Sequence, residues 1–424
     1  MVKAVKKFNL VIIGGGASGL VAAIAAKRRQ PDLTVAVLER TFALGRKVLI
    51  TGAGRCNLAN VKLAQNPERY YQGETTVIKS VFEQFGYTQL INFFAELGIE
   101  TYQEVKNNSG KIYPVTDSAK TIVELLVDEA KRLGVKFLLQ TEVKKLKKTG
   151  LQFSLLTTTP EGKEEIIAEQ VILAAGGKTY PALGANGSGY DLAQSLGHQI
   201  VPVTCAGVPV VAKNSLSQLL QKTKVNLAVT CLIAGQPVAQ TINDVMFTDY
   251  GLSGTAILEI SRPIAKALQQ NSQSKIIIVL NFFPEQTVAQ VKTKLFTRWQ
   301  KRPEQTLEKS LLGFWPPKVP VALLKVLKIE PNLLVKDLSQ AQTKWLIDNL
   351  TAYEIKVSGI RGWQEAEFSV GGVPAAEVKV KTLESIKVPG LYLAGEILDV
   401  DGPLGGYNLA WAWASGYVAG QLQK

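Results

Sequence analysis

A glycine-rich turn near the N-terminus constrains this chain more than any other segment. Asn9 to Ile13 is a short run of strand formers, and a helical pattern runs from the glycines to Arg29. Between them the glycines fall as Gly14-x-Gly16-x-x-Gly19. At a strand-to-helix junction the first glycine permits the tight turn and the second lets backbone approach a pyrophosphate. The third lets the helix pack closely on the strand. Free N–H groups and the positive dipole of the helix start then face the anion. Thr34 to Leu38 reads as the next strand and delivers Glu39 about twenty residues after Gly19, as a ribose hydroxyl requires. A merely structural glycine turn leaves Glu39 unexplained. The pattern predicts a Rossmann-type dinucleotide site, with Gly14, Gly16, Ala17, Ser18 and Gly19 on the pyrophosphate and Glu39 on the adenosine ribose.

Scarcity excludes other chemistries. The chain has one histidine, His198, and three cysteines, Cys56, Cys205 and Cys231, far apart in the sequence. A zinc site built on several histidines is impossible, and nothing suits an iron–sulfur cluster or zinc ribbon. His198, after Leu196-Gly197, reads as structural. Lys+Arg number 48 against 35 Asp+Glu, a net +13, which favours a polyanionic partner or simply keeps the protein soluble. Lys3, Lys6 and Lys7 before the uncharged run Leu10 to Ala26 imitate a signal peptide, but Gly14, Gly15 and Gly16 split that run. No other segment offers the roughly twenty apolar residues of a membrane span. A cytoplasmic protein without membrane contact is expected.

Later segments decide between NAD and FAD. Val171 to Ala175 reads as a strand running into Gly176-Gly177, and Gly390 to Ala394 as another, followed by Gly395-Glu396. Gly405-Gly406-Tyr407-Asn408 then opens a helix through Gly420. A cofactor gripped from both ends of the chain suits FAD, whose long body must span the domain. Helices and strands alternate to about Leu196, with Ser118 capping a helix through Arg132, which is the α/β signature. From about residue 200 the texture changes to Val- and Thr-rich strands at Val208 to Ala212, Val225 to Leu232 and Lys275 to Asn281, a small antiparallel barrel or sandwich. Pro284 to Leu350 is a basic helical stretch, and strand texture returns at Tyr353 to Val370.

Thr51-Gly-Ala-Gly-Arg-Cys-Asn57, Gly395-Glu-Ile-Leu-Asp-Val-Asp-Gly402 and Gly405-Gly-Tyr-Asn408 together resemble the BaiN/RdsA family of NAD(P)/FAD-dependent oxidoreductases. Further matches are Ala174-Ala-Gly-Gly177 with Tyr180-Pro181, Phe247 to Gly254, and Gly371-Gly-Val373. Asp249 departs from an expected histidine, and Phe368-Ser369-Val370 from a more usual Val-Thr-Ala. The resemblance implies a discontinuous Rossmann-type FAD domain (1–199 and 367–424), an inserted small antiparallel β-barrel (200–283 and 351–366) and a helical insert (284–350). It also implies dihydrouridine formation in large-subunit ribosomal RNA. Steroid-ring reduction and amine oxidation are linked to other members, so a small-molecule flavoenzyme is the alternative. A non-catalytic, flavin-stabilised RNA-binding protein is a third reading. The chain has no second G-x-G-x-x-G with a trailing acid, so NAD(P)H is expected only as a transient reductant.

These considerations nominate the site. Arg40, Arg46 and Lys47 add charge near the phosphates or are solvated loop cations. By resemblance, Val143 presents backbone to adenine, and Ala175, Gly176, Gly395, Glu396, Gly406, Tyr407 and Asn408 contact ribityl, phosphate or ring atoms. Thr51, Gly52 and Gly54 allow close backbone approach to a flavin. Arg55, Cys56 and Asn57 are the catalytic candidates. Arg55 can hold negative charge on the reduced flavin or a substrate carbonyl. Cys56 is either a proton donor or a small packed side chain. In the helical stretch Lys292, Lys294, Arg298, Lys301, Arg302, Lys309 and Lys318 interleave with Phe296, Trp299, Phe314 and Trp315. That pattern is an RNA footprint with stacking platforms, or a solvated face over core tryptophans.

Overall fold

The computed structural model describes residues 5–105 and 109–422, so Lys3 lies outside the described residues. The chain divides into two compact units. One comprises the residues up to Val203 together with those from Phe368 onward, and the other is Thr204–Glu367.

The first unit is built on a parallel sheet. Lys6–Ile13 lies between Val35–Leu38 and Gly162–Leu173, with Lys136–Leu138 and Leu391–Leu393 extending it on either side. Its central residues Leu10 to Ile13 and Val35 to Leu38 are continuously apolar and buried, as a sheet covered on both faces demands. The run that imitates a signal peptide is therefore a strand followed by the helix Ala17–Arg29. Ser118 caps Ala119–Arg132 through the Thr121 N–H, as its position predicts. Gly162–Leu173 pairs antiparallel with Gln152–Thr159 along its first half and joins the parallel sheet along its second. His198 is structural. Its Nδ1 faces Glu377 Oε2 at 2.7 Å and its Nε2 faces the Ser385 hydroxyl at 2.9 Å, all buried.

The return of the C-terminus sets up the site. The helix Tyr407–Gly420 meets Ala17–Arg29 backbone to backbone, because a Cβ on Gly416 would lie 2.3 Å from Ser18 O and one on Gly420 2.4 Å from Ala22 O. Ile13 and Leu393 both pair with Leu173. Three parallel strands thus end together, and their following loops emerge at one edge. Carboxyl ends of parallel strands are where open α/β sheets bind ligands.

The second unit holds a seven-stranded antiparallel sheet in the order Tyr353–Val357, Ile276–Asn281, Lys224–Ile233, Gln236–Phe247, Gly251–Ser253, Val210–Val211, Gly359–Ile360. Only Ser358 separates the two end strands, so the sheet curls until its edges meet. The helices Val288–Lys301, Leu307–Leu311, Lys318–Leu327 and Gln340–Thr351 belong to the same unit. Burial removes Trp299 as a stacking platform, and Trp315 is half-buried. Trp299 is 6% exposed and donates its indole N–H to Ser310 Oγ, and Trp315 donates to Phe282 O. Trp315 packs against Phe283 and Phe314 at ring distances of 4.9 and 5.4 Å. The cations stay outside: Lys292, Lys294, Lys301 and Arg302 are exposed. Lys294, Arg298, Lys301 and Arg302 recur at helical spacing along one face.

Candidate cofactor and active site

The glycine turn has the geometry that the three tasks of its spacing require. Gly14 has φ 109°, donates to Leu38 O at 2.8 Å, and leaves no room for a side chain, since a Cβ would sit 2.4 Å from Ala174 O. A Cβ on Gly19 would lie 1.9 Å from Gly14 O, so helix and strand touch there. Gly16 differs, because a Cβ would meet nothing within 4 Å. No side chain caps the helix that follows, and its first turn holds no acid. Unpaired N–H groups face open space, a cradle for an anion.

Glu39 stands at the mouth of this cradle. Its Oε2 accepts from Gly15 N at 3.0 Å, and its Oε1 accepts from the N–H and hydroxyl of Thr41, both at 2.8 Å. The C-terminal arm closes on the same spot, where a Cβ on Gly395 would lie 2.6 Å from Ser18 Oγ. Glu396 accepts from Ser369 N at 2.6 Å and pairs with Lys47 at 2.8 Å, while Lys47 also reaches the buried Thr179 hydroxyl. Ala175 and Gly176 follow the adjacent strand, with Gly176 at φ 70°. Arg40 and Arg46 donate to the carbonyls of Gly184 and Ala182 at 3.4 and 3.0 Å, clasping that turn. Val143 is buried in the strand Glu142–Thr149, next to a register shift. An open helix start, an adjacent carboxylate and two glycine loops from distant parts of the chain fit FAD. Gly14, Gly16, Ala17, Ser18, Gly19, Glu39, Gly395 and Glu396 are the residues that would hold it.

The loop Thr51–Asn57 is strained. Gly52, Ala53, Gly54 and Cys56 all have left-handed φ, at 58°, 58°, 86° and 61°. Such clustering in non-glycine residues is typical of functional sites. Asn57 ties the loop to the C-terminal helix. Its amide donates to Ala59 O and Ile112 O at 3.1 and 3.3 Å and accepts from Gly406 N at 3.0 Å. The Arg55 guanidinium lies over the Tyr113 ring at 3.9 Å, and its two terminal nitrogens reach Glu104 Oε1 at 3.4 and 3.3 Å.

Cys56 and Asn408 are both engaged within the protein itself. Cys56 is fully buried in the core, and burial pushes its thiol up to about 12. Its sulfur packs among core side chains, which favours the packed reading over the proton-donor one. The Asn408 side chain closes back on Gly402, accepting from its N–H at 2.8 Å and donating to its carbonyl at 2.9 Å, so the amide is committed within its own turn. Tyr407 is buried beside Tyr70, with ring centroids 5.1 Å apart. Sequence reasoning missed Glu104, Tyr113 and Thr179, which no spacing rule marks. Ser369 was visible only as a departure from the expected Val-Thr-Ala, and its hydroxyl accepts from Lys178 N at 2.8 Å.

A parallel sheet with this cradle, closed by a C-terminal arm, defines a flavin-binding oxidoreductase of the Rossmann class. Residues 8–422 match the HI0933-like protein Rossmann domain. A 3-dehydro-bile acid delta(4,6)-reductase of Clostridium scindens is 39% identical over 97% of both chains. Ribosomal RNA dihydrouridine synthases of Escherichia coli and Haemophilus influenzae are 32% and 31% identical, over 98% and 96% of both chains. The chain belongs to the HI0933-like Rossmann-domain family and is an FAD-dependent oxidoreductase. The fold is also that of 3-ketosteroid-delta4-(5alpha)-dehydrogenase from Rhodococcus jostii, with a TM-score of 0.52 and 15% identity over 100% of this chain and 99% of that one. No helix among the described residues is long and apolar enough to cross a membrane.

Proposed function

We propose that this protein reduces uridine to dihydrouridine in large-subunit ribosomal RNA, in the cytoplasm, with NAD(P)H as the transient electron donor. The observation that carries this reading is near-full-length similarity to two ribosomal RNA dihydrouridine synthases, at 32% and 31% identity. The net charge of +13 and the exposed cations of the helical stretch support a polyanionic substrate. Once reduced by NAD(P)H, a bound flavin would supply the hydride for such a reduction. Gly16 would hold its pyrophosphate and Glu39 would orient its ribose, with Arg55 as the candidate that meets the substrate. In this reading residues 284–350 are an RNA-contacting insert on a barrel formed by 200–283 and 351–366. The 39% identity to a bile-acid reductase favours a second reading, reduction of a small polycyclic enone.

Mapping dihydrouridine in ribosomal RNA from cells with and without the gene separates the two. One uridine in the large subunit is expected to lose its modification in the deletion strain. An unchanged map overturns the RNA reading and leaves the small-molecule one. Replacing Lys292, Lys294, Arg298, Lys301 and Arg302 together with glutamine is expected to weaken RNA binding. Its dependence on salt should flatten as well, because fewer counterions are released. Flavin content stays at the wild-type level. An unchanged salt slope would show that the helix face is only solvated.

A further inference from the structure

The loop Thr51–Asn57 offers one cation, Arg55, and the surroundings of that cation are built rather than incidental. Arg55 stands between Gly54 and Cys56, both left-handed, so the backbone sets the direction in which it leaves the loop. Its guanidinium rests on the Tyr113 ring at 3.9 Å. Tyr113 is 3% exposed and its ring edge is wedged under the turn, 3.0 Å from where a Cβ on Gly52 would sit. The strand carrying it, Lys111–Pro114, pairs on both sides, with Thr101–Gln103 and with Ala59–Asn60. The Tyr113 hydroxyl has no hydrogen-bond partner among the described residues, so what the ring offers its neighbours is its face. Glu104 takes the two terminal nitrogens on a single carboxylate oxygen, and Asp117 lies farther off at 3.9 Å, itself accepting from the Tyr102 hydroxyl at 2.8 Å. The Arg55 side chain remains 34% exposed. A guanidinium has five N–H donors in a rigid fork, and Glu104 does not exhaust them. One face is stacked, one edge is anchored by Glu104, the Tyr102 hydroxyl also meets the guanidinium, and the remaining donors reach the exposed side.

We infer that Glu104 and Tyr113 are positioning residues that hold Arg55 as a fixed plate for the carbonyl oxygen of an α,β-unsaturated substrate. The inference rests on the ring-reduction reading and narrows it to conjugated carbonyl compounds, a class that includes uracil and the 3-oxo-4-ene steroids. An isolated C=C accepts hydride poorly, because the displaced electron pair has nowhere to go. In the conjugated case hydride forms a C–H bond at the β-carbon. The C=C π pair moves to the bond between the α-carbon and the carbonyl carbon, and the C=O pair moves onto oxygen. The resulting enolate oxygen is the atom that Arg55 N–H donors hold. A proton from water then adds at the α-carbon and the carbonyl re-forms, so that one hydride and one proton are added in total. Cys56 takes no part, because its sulfur is buried beneath the loop. A donor fixed before the charge develops has no reorganisation to undergo, and loss of one such donor lowers turnover by about 10²–10³.

The experiment uses the FAD-loaded protein and two readouts. The first is binding of 4-nitrophenolate, a planar oxyanion like an enolate, followed by the flavin difference spectrum without turnover. Arg55→Met is expected to weaken it at least tenfold, and Glu104→Gln to weaken it in part. The second is reoxidation of the dithionite-reduced protein by cyclohex-2-enone, with cyclohexene as the acceptor lacking a carbonyl. The enone is expected to react and cyclohexene not. Glu104→Gln and Tyr113→Leu are expected to lower the limiting rate about tenfold each with FAD content retained, while Glu104→Asp and Tyr113→Phe restore most of it. Wild-type phenolate affinity in Arg55→Met, or wild-type rates in both Glu104→Gln and Tyr113→Leu, overturns the proposal. Failure of the RNA reading looks different: ribosomal dihydrouridine is unchanged while the Arg55 dependence stands.

Discussion

Gly16→Val is expected to leave the protein folded and nearly empty of flavin. Gly16 has φ −86°, which any residue adopts, and no atom of the protein lies within 4 Å of the added Cβ. The branched side chain is therefore expected to meet the pyrophosphate before it meets the protein. Occupancy after purification should drop more than tenfold. A ligand at a hundred times its Kd stabilises its protein by about 2.7 kcal/mol, so added FAD should raise the melting temperature of the wild type and not of the variant. The flavin released from denatured wild type should be FAD, because FMN has neither the pyrophosphate nor the adenosine ribose proposed to meet Gly16 and Glu39. Gly19→Ala is the control with the opposite cause. Its Cβ would lie 1.9 Å from Gly14 O, so the helix must shift off the strand, and overpacking of that kind costs about 1–3 kcal/mol or more. That variant loses flavin and fold together. Full flavin content in Gly16→Val would mean that the cradle is misassigned.

Cys56→Ser is expected to keep near-normal turnover and to change how stability depends on pH. A lost proton donor would slow transfer to the substrate by about 10²–10⁴, whereas a buried packing residue leaves chemistry intact. The folded protein holds the Cys56 proton up to about 12. An unfolded chain releases it near about 8.5. Between those values the folded state binds more protons, so stability falls as pH rises, by up to about 1.4 kcal/mol per unit. Below that window the thiol makes no difference. Urea midpoints from pH 7 to 11 should therefore decline more steeply for wild type than for Cys56→Ser, which lacks the titrating group. Cys231, also pushed up by burial, to about 11, is present in both and cancels. Parallel slopes would show that the thiol is accessible, and the proton-donor reading would return.

The dinucleotide cradle was legible in the sequence because its demands are local. A tight turn, a close backbone approach and a helix packed on its strand each require glycine at one position, and Gly14, Gly16 and Gly19 meet them within a single βα unit. Glu39 was legible for the same reason, since one strand of known length carries it back to the turn. The C-terminal arm was readable as strand, glycine pair and helix, and parallel pairing brings Gly395 to Ser18. His198 was rightly read as structural, although nothing local announced Glu377 and Ser385 as its partners.

The candidate active-site side chains were a different matter. Cys56 sits between two polar residues in a glycine-rich loop, and by composition it belongs at a surface. Left-handed backbone at Cys56 turns its sulfur into the core instead. Asn408 follows a glycine pair as a ligand-facing residue would, yet its amide finds Gly402 in its own turn first. Arg55 meets Tyr113 and Glu104 only because a ribbon some fifty residues onward pairs with Ala59–Asn60. The sequence by itself determined the Rossmann cradle and the class of cofactor, because backbone geometry over short spans dictates residue type. Which side chains face a substrate was decided by the tertiary structure, because burial and long-range pairing depend on neighbours that sequence spacing does not name.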